Sequence, residues 1–314
     1  MNAELLSRIA ETIYWTGRYV ERADDTARLV DVYVHRMLGE TGADSDAACR
    51  ALFGILGVSV EPDEELDIDV VLFHLVFESQ SPSAIAGSML GARAGARGIR
   101  EVISSEMWEC LNVTGHGLAG QKRAAERLGP HVYLRYIRER SALFFGLADS
   151  TMSHDDAWRF LVLGRSLERA DMTARLLLAR MTAPDELDWP VLLRACGAHE
   201  SFIRTHGWGA ESSRVAEFLL LDRLFPRSVL FALSTAEDCL AALDPGSSRA
   251  GVDDPSRRRV GRMRNRLEYA DPKQLPEQLA ELLSALQQTC VQAHDAIARR
   301  YFQYQTPVAW ERDG

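Results

Sequence analysis

Two short segments of the chain carry the same charged residues at the same spacing. Residues 17–29 read GRYVERADDTARL and residues 164–176 read GRSLERADMTARL, so ten of thirteen positions agree at a constant offset of 147. A duplicated helix held by packing alone would keep its apolar residues and let its charges diverge. Because the charges are retained here, the repeat indicates a paired polar site built from two equivalent helices.

The charged residues of each copy fall on one face of a helix at about 100° per residue. Glu21 and Glu168 are the candidate catalytic groups, because a glutamate beside arginines can orient them or accept a proton from an amine. Arginine binds carboxylate or phosphate through two parallel hydrogen bonds. The candidate substrate-binding or anion-binding residues of the two copies are Arg18, Arg22, Asp24, Arg28, Arg165, Arg169, Asp171 and Arg175.

Two other interpretations of the repeat stay open at this point. A mixed-charge helix face is commonly solvated, and its exposed ion pairs then contribute only about 0–1 kcal/mol. Alternatively, the two stripes pair with each other and lock the two halves together. The motif has six arginines against five acids. If it is partly desolvated, we therefore expect an anion to balance it.

Three further positions or groups of positions are candidate anion contacts. Arg93, Arg97 and Arg100 lie at i, i+4 and i+7 on a helix rich in Gly and Ala, where a ligand or another helix can approach closely. Asn112 follows as a polar member of the next segment. Arg227 comes directly after Pro226, at the predicted amino end of a helix, where backbone N–H groups favour anions.

The composition excludes several classes of function. A net charge of −9 argues against general nucleic-acid binding. No nucleotide-binding Gly motif and no Glu-x-x-His pair occurs, so we expect no cofactor and no metal of its own. The absence of a signal peptide, of an 18-residue apolar run and of any disulfide or metal-ligand spacing among the five cysteines predicts a cytoplasmic protein without membrane contact.

Helical periodicity dominates the chain and predicts an all-α fold. We expect a single bundle-like domain with an internal two-fold duplication, whose halves (about 1–150 and 151–314) do not fold independently. Loops are predicted at Val58–Asp67 and Gly246–Ser256. The predicted helices span 4–39, 44–56, 68–79, 83–103, 106–127, 131–148, 155–182, 187–205, 211–223, 226–243 and 274–303.

Four separate motifs together resemble the alpha-E domain family, which consists of bacterial helical proteins with a repeated Glu-Arg motif. These motifs are LLSRIAETIYWTGRYVERADDTARLV at 5–30, the segment from Ala92 to Asn112 that contains EMWECLN, LGRSLERADMTARLLL at 163–178, and FPRSV at 225–229. The resemblance covers essentially the whole chain and places the family's Glu-Arg pair on Glu21-Arg22 and Glu168-Arg169.

The resemblance implies a functional context. Family members are typically encoded beside, or fused to, a circularly permuted ATP-grasp protein, often with a transglutaminase-like protease. The chain is then expected to be the helical partner of an amide or peptide ligase, with ATP and Mg²⁺ on the partner, and to bind an acidic peptide or an acyl phosphate. The alternatives are a stand-alone enzyme with its active site between the repeats, or a non-catalytic scaffold protein.

Overall fold

The chain is helical throughout the part that the structure describes. The computed structural model describes residues 3–37, 43–61, 63–182, 187–207, 211–244 and 250–302. These residues contain no β-strand, which confirms the all-α prediction. The α-helices are α1 (Ala3–Met37), α2 (Ala43–Leu56), α3 (Ile68–Val71), α4 (Ile85–Arg97), α5 (Ser105–Leu128), α6 (His131–Thr151), α7 (Asp156–Thr182), α8 (Trp189–Ala195), α9 (His199–His206), α10 (Ser212–Leu221), α11 (Val229–Leu243), α12 (Pro255–Glu268) and α13 (Leu275–Ile297).

The two motif helices, α1 and α7, cross each other at the centre of the fold. Their backbones approach closely because each contributes a glycine at the crossing. A Cβ atom added to Gly17 would lie 2.2 Å from the carbonyl oxygen of Leu161, and one added to Gly164 would lie 2.2 Å from that of Tyr14. Only glycine fits at both positions, so the first residue of each motif permits this contact.

The remaining helices surround the α1–α7 pair in two similar sets. Helices α4 and α6 pack on α1, while α11 and α13 pack on α7. Helix α5 contacts α4 and α6, and α12 contacts α11 and α13 in the same way. Helix α8 packs on α1 and α2 packs on α7, so each of them crosses to the other half. The internal duplication, with its proposed halves, stays a prediction that this arrangement supports.

Several predicted boundaries need correction. The predicted helix 187–205 is divided into α8 and α9 at Gly197, whose φ of +60° ends the first helix. The helix predicted to run from 83 to 103 ends at Arg97, and the segment predicted over 68–79 is the short α3 continued by a π-helical turn, Leu72–Phe77. The predicted helix ends at residues 39 and 303 lie outside the described residues, as do residues 246–249 of the predicted loop.

Helix α12 was not predicted from the sequence. Its six arginines obscure an apolar pattern that is limited to a narrow buried face of Val260, Met263 and Leu267. The Asp254 side chain accepts a hydrogen bond from the backbone N–H of Ser256 and caps the helix, with Pro255 in its first turn. Arginine has a high helix propensity, so the cap and this narrow face are sufficient.

All five cysteines are buried, and none of them forms a disulfide bond. Among the described residues, none of the helices has both the length and the apolar character required to cross a bilayer.

Candidate functional site

The Glu-Arg pairs of α1 and α7 bind each other reciprocally. Arg169 donates to Glu21 from Nε at 2.7 Å and from Nη2 at 2.9 Å. Arg22 donates to Glu168 from Nε at 2.5 Å and from Nη2 at 3.1 Å. These four residues are called the Glu-Arg frame below. The two charged stripes therefore face and pair with each other across the crossing, as the second alternative interpretation expected.

The frame also holds the segments that lead into α4 and α11. Arg22 donates from Nη1 to the carbonyl oxygen of Pro82 at 3.3 Å, and Arg169 donates from Nη1 to that of Pro226 at 3.2 Å. Each arginine therefore donates hydrogen bonds to one carboxylate and to one backbone carbonyl oxygen. The frame ties four segments of the chain together at the centre of the fold.

Both frame glutamates are ionised and inaccessible. Burial by itself raises the pKa of Glu21, but Arg169 and Arg227 outweigh it and lower that pKa to about 2. Burial likewise raises the pKa of Glu168, but Arg18 and Arg22 outweigh it and lower that pKa to about 2. A carboxylate with so low a pKa is a weak base at neutral pH. In this arrangement the glutamates position arginines, and a catalytic role for them stays a prediction.

Arg18 and Arg165 occupy equivalent motif positions but have different partners. Arg18 donates to Glu168 from Nε at 2.6 Å and lies over the Trp15 ring, 5.2 Å from its centroid. Arg165 lies over the Phe145 ring at 4.8 Å, with Asp149 at 3.8 Å. Burial, and then the positive charge of Arg169, lower the pKa of Arg165. The residue types are retained in both copies, but their surroundings are not.

A cluster of three buried carboxylates surrounds Arg227. Its Nη1 lies 3.0 Å from Glu21 and 2.5 Å from Asp25, and its Nη2 donates to Asp24. Oxygens of the three carboxylates lie within 4.8 Å of one another, which makes this the one cluster within the described ranges that is close enough to hold a metal ion. Arg227 already contacts all three acids, so its guanidinium supplies the counter-charge there.

Asp25 was not among the residues predicted for the site. Burial raises its pKa to about 8, against the opposing effect of Arg227 and with a further increase from Glu21 and Asp24. One oxygen of Asp24 and one of Asp25 are buried without a hydrogen-bond partner in the described structure. The available signal was the doubled acid Asp24-Asp25, which the second motif replaces with Asp171-Met172.

The last arginine of each motif lies at the edge of the network. Arg28 donates from Nε to Asp24 at 2.9 Å, and Arg175 donates from Nε to Asp171 at 2.8 Å. Each arginine reaches a glycine that follows a helix of the other half. A Cβ atom at Gly197 would lie 2.9 Å from Nη1 of Arg28, and one at Gly57 would lie 3.2 Å from Nη1 of Arg175.

Two open cavities lie beside the carboxyl end of the first motif, among the described residues. Of the predicted site residues, Arg28 alone lines them. The cavities adjoin, with volumes of about 570 and 530 Å³, and share Arg28, Asp31, His35 and Arg138. Together they are called the Arg28 cleft below. The larger one is further lined by Val32, Arg36, Val191, Arg194, Gly197, His199 and Glu200, and the other by His131, Arg135, Glu139 and Ala142.

Of the predicted arginine row, Arg93 lies on α4 and Arg100 follows its end, and both contact side chains of α5. Arg93 donates to Asn112 at 3.0 Å and contacts His116 at 2.9 Å. Arg100 lies over the Trp108 ring at 5.0 Å, and Arg97 is exposed. The small residues of α4 admit a neighbouring helix, since a Cβ at Gly95 would lie 3.2 Å from Thr12 and Thr16 of α1. Anion binding by these arginines stays a prediction.

Comparison with known proteins agrees with the motif. The Alpha-E family model, described as a predicted alpha-helical domain with a conserved ER motif, matches residues 5–302. Similar curated proteins include an uncharacterized protein of Mycobacterium bovis, 26% identical over 313 residues, and one of Mycobacterium tuberculosis, 25% identical over 313 residues. Each match covers 89% of this chain but 35% of the relative, so the chain spans about a third of the relatives' length. No solved structure matches the chain.

Proposed function

Because this chain belongs to the Alpha-E family, we propose that it is the helical partner of an ATP-grasp amide or peptide ligase. In this proposal a circularly permuted ATP-grasp protein binds ATP and Mg²⁺ and activates a carboxylate as an acyl phosphate. The present chain holds the acidic peptide or the acyl phosphate. A transglutaminase-like protease is a second proposed partner, acting on the same peptide.

One observation carries this proposal: Arg28, the last arginine of the first motif, is held by Asp24 at the edge of the buried ion-pair network and reaches an open cleft. The ionised frame glutamates are fully engaged by arginines. Arg28 is connected to that frame through Asp24 and Arg227 and lines the cleft. A rigid support that presents a cation to solvent suits the binding and orientation of an acidic substrate group.

The two other functions receive different degrees of support. A stand-alone enzyme with its reaction between the repeats would need a reactive group at the crossing, but Glu21 and Glu168 are buried there with pKa values near 2. A scaffold is favoured by the reciprocal pairing of Glu21 with Arg169 and of Glu168 with Arg22. The Arg28 cleft favours the binding role over the scaffold, because a purely internal lock requires no open cationic cavity.

The test combines this chain with a circularly permuted ATP-grasp protein of the same genome. ATP turnover and amide formation are measured with acidic peptides for each protein alone and for the mixture. We expect a complex and peptide-dependent turnover in the mixture only. The Glu126→Gln variant, changed at an exposed position outside both cavities, serves as a control that should retain activity. Turnover by this chain alone would favour the stand-alone enzyme, while no complex and no effect would refute the proposal.

A further inference from the structure

We propose that the Arg28 cleft is a binding site for a dianionic oxyanion group, either a phosphate or two adjacent carboxylates. This places the anion beside the frame rather than between the two motif helices. The inference deepens the proposed function by assigning its acidic group to a site. The anion chemistry is argued from this chain alone, so that direct binding tests it without a ligase.

The lining of the larger cavity is positively charged. Four arginines line the larger cavity, Arg28, Arg36, Arg138 and Arg194, whereas its acids are Asp31 and Glu200. The lining itself therefore carries two positive charges in excess, in a chain whose net charge is −9. Asp24, which does not line the cavity, pairs with Arg28, but it is shared with Arg227 and so offsets this excess only in part. A dianion would balance that excess, and partial enclosure strengthens the attraction relative to bulk water.

The arginines of the lining come from separate helices. Arg28 comes from α1, Arg138 from α6, and Arg194 from the last turn of α8. Arg138 is paired with Asp31 at 3.2 Å, and Arg194 is exposed. The adjoining cavity contributes no further excess from Arg135, because Glu139 lies 4.0 Å from it. The excess is thus concentrated where the three elements meet.

Arg28 is held in place before any ligand binds. Its Nε donates to Asp24, and Asp24 also contacts Arg227, whose side chain is 14% exposed. Its Nη1 faces Gly197, where a Cβ atom would approach to 2.9 Å, so this glycine leaves space for the guanidinium head. A guanidinium fixed in this way loses little conformational freedom when it binds an oxyanion.

Helix α9 adds a weaker contribution at the same place. It begins at His199, directly after the turn at Gly197, and both residues line the cavity. Unpaired N–H groups at a helix amino end attract anions. Glu200 also lies in that first turn and partly offsets the effect. The arginines therefore define the site, and its volume of about 570 Å³ suits a small acidic group.

The experiment measures binding of two probes, inorganic phosphate and the dipeptide Glu-Glu, by isothermal titration calorimetry. The full chain is used at constant ionic strength and pH 7.5. We expect at least one probe to bind at one site per chain. Phosphate alone would identify a phosphoryl ligand and the dipeptide alone a dicarboxylate, and either result supports the site.

The variants are Arg28→Ala and Arg194→Ala, with Arg175→Ala as the matched control. Arg175 occupies the equivalent motif position and makes the same i,i+4 ion pair, but it lines neither cavity. Loss of one charge-assisted hydrogen bond should weaken binding about ten- to a hundred-fold in the two cleft variants. The control should bind like the wild type. Arg194 is exposed, so its variant tests the site even if Arg28→Ala fails to fold.

The inference is overturned if neither probe binds at a single site, or if Arg194→Ala binds as well as the wild type. It is also overturned if Arg175→Ala weakens binding as much as the cleft variants do, because the effect would then reflect general charge. Binding of a probe without ATP turnover in the ligase mixture would leave this site standing and refute the proposed function instead.

Discussion

Replacing Glu168 with Gln should destabilise the protein strongly, because it leaves Arg18 and Arg22 without their counter-charge. Arg18 lies 2.6 Å and Arg22 2.5 Å from the carboxylate. The Glu168 side chain is 6% exposed, so water cannot replace the lost charge. Glutamine has nearly the same shape, and its amide nitrogen would be directed at guanidinium donors rather than accepting from them.

The magnitude follows from the pKa of Glu168. A pKa of about 2, compared with the ordinary value of 4.5 for a glutamate, corresponds to a preference of about 3 kcal/mol for the ionised form. Removing one partner of a buried ion pair typically costs about 3–5 kcal/mol. We therefore expect Glu168→Gln to lower the free energy of unfolding by about 3 kcal/mol at pH 7.

The assay is urea unfolding at pH 7 followed by far-UV circular dichroism. Wild type, Glu168→Gln and Glu139→Gln are compared, and equal m-values show that a shift in the midpoint reports a change in stability. Glu139 is 69% exposed and lies 4.0 Å from Arg135, so the control should change stability by less than about 1 kcal/mol. If Glu168→Gln also changes stability by less than about 1 kcal/mol, the frame does not hold α1 against α7, and the reasoning fails.

Acid titration provides a second measurement on the same variant. The folded pKa of Glu168 lies below its unfolded value, so its contribution is complete above about pH 4.5 and is lost as the pH falls toward about 2. Wild-type stability should decline over that window. The decline should be smaller in Glu168→Gln, with Glu21 contributing what remains.

Two further predictions concern the crossing and the carboxylate cluster. Gly17→Ala should lower the free energy of unfolding by about 3 kcal/mol or more, because the new Cβ would lie 2.2 Å from the Leu161 oxygen. The exposed Gly120 has nothing within 4 Å of an added Cβ, so Gly120→Ala should stabilise by about 0.5–1 kcal/mol; urea unfolding measures both, and equal effects would contradict the close crossing. Asp25 has a folded pKa of about 8, against the ordinary value of 3.8 for an aspartate, which applies to the unfolded chain. Between these two pKa values the folded wild type retains a proton that the unfolded chain releases. Its stability should therefore fall as the pH rises from about 4 to about 8. Asp25→Asn should remove this slope in urea unfolding measured from pH 4 to 8, and a slope unchanged in the variant would contradict the raised pKa.

The helical periodicity of the sequence was sufficient to predict the fold class. It was least reliable where the apolar signal was weak. Helix α12 was missed because arginines fill most of its surface positions, and the predicted helix 187–205 was not divided because Gly197 lies within an apolar pattern. The first error arises because tertiary burial selects a narrow face of α12, which composition does not reveal. The second arises because the positive φ of Gly197 is not evident from apolar periodicity.

The retained charges of the two motifs indicated that the motif helices act as a pair, and the structure shows them paired. The sequence did not reveal which charges become buried. Arg227 meets Asp25 from 202 positions away, and no local spacing encodes that contact. The packing of α4 on α5 likewise decided that Arg93 contacts Asn112 of α5.

By itself, the sequence determined the helical class, the repeated Glu-Arg motif and the glycines that open each copy, because these depend on residue type and local spacing. Only the tertiary structure decided that Glu21 and Glu168 are shielded carboxylates bound by arginines, and that Arg28 rather than Arg175 lines the described cleft. The physical reason is that pKa, ion pairing and access to solvent depend on which elements pack together, and the two copies of one motif pack against different neighbours.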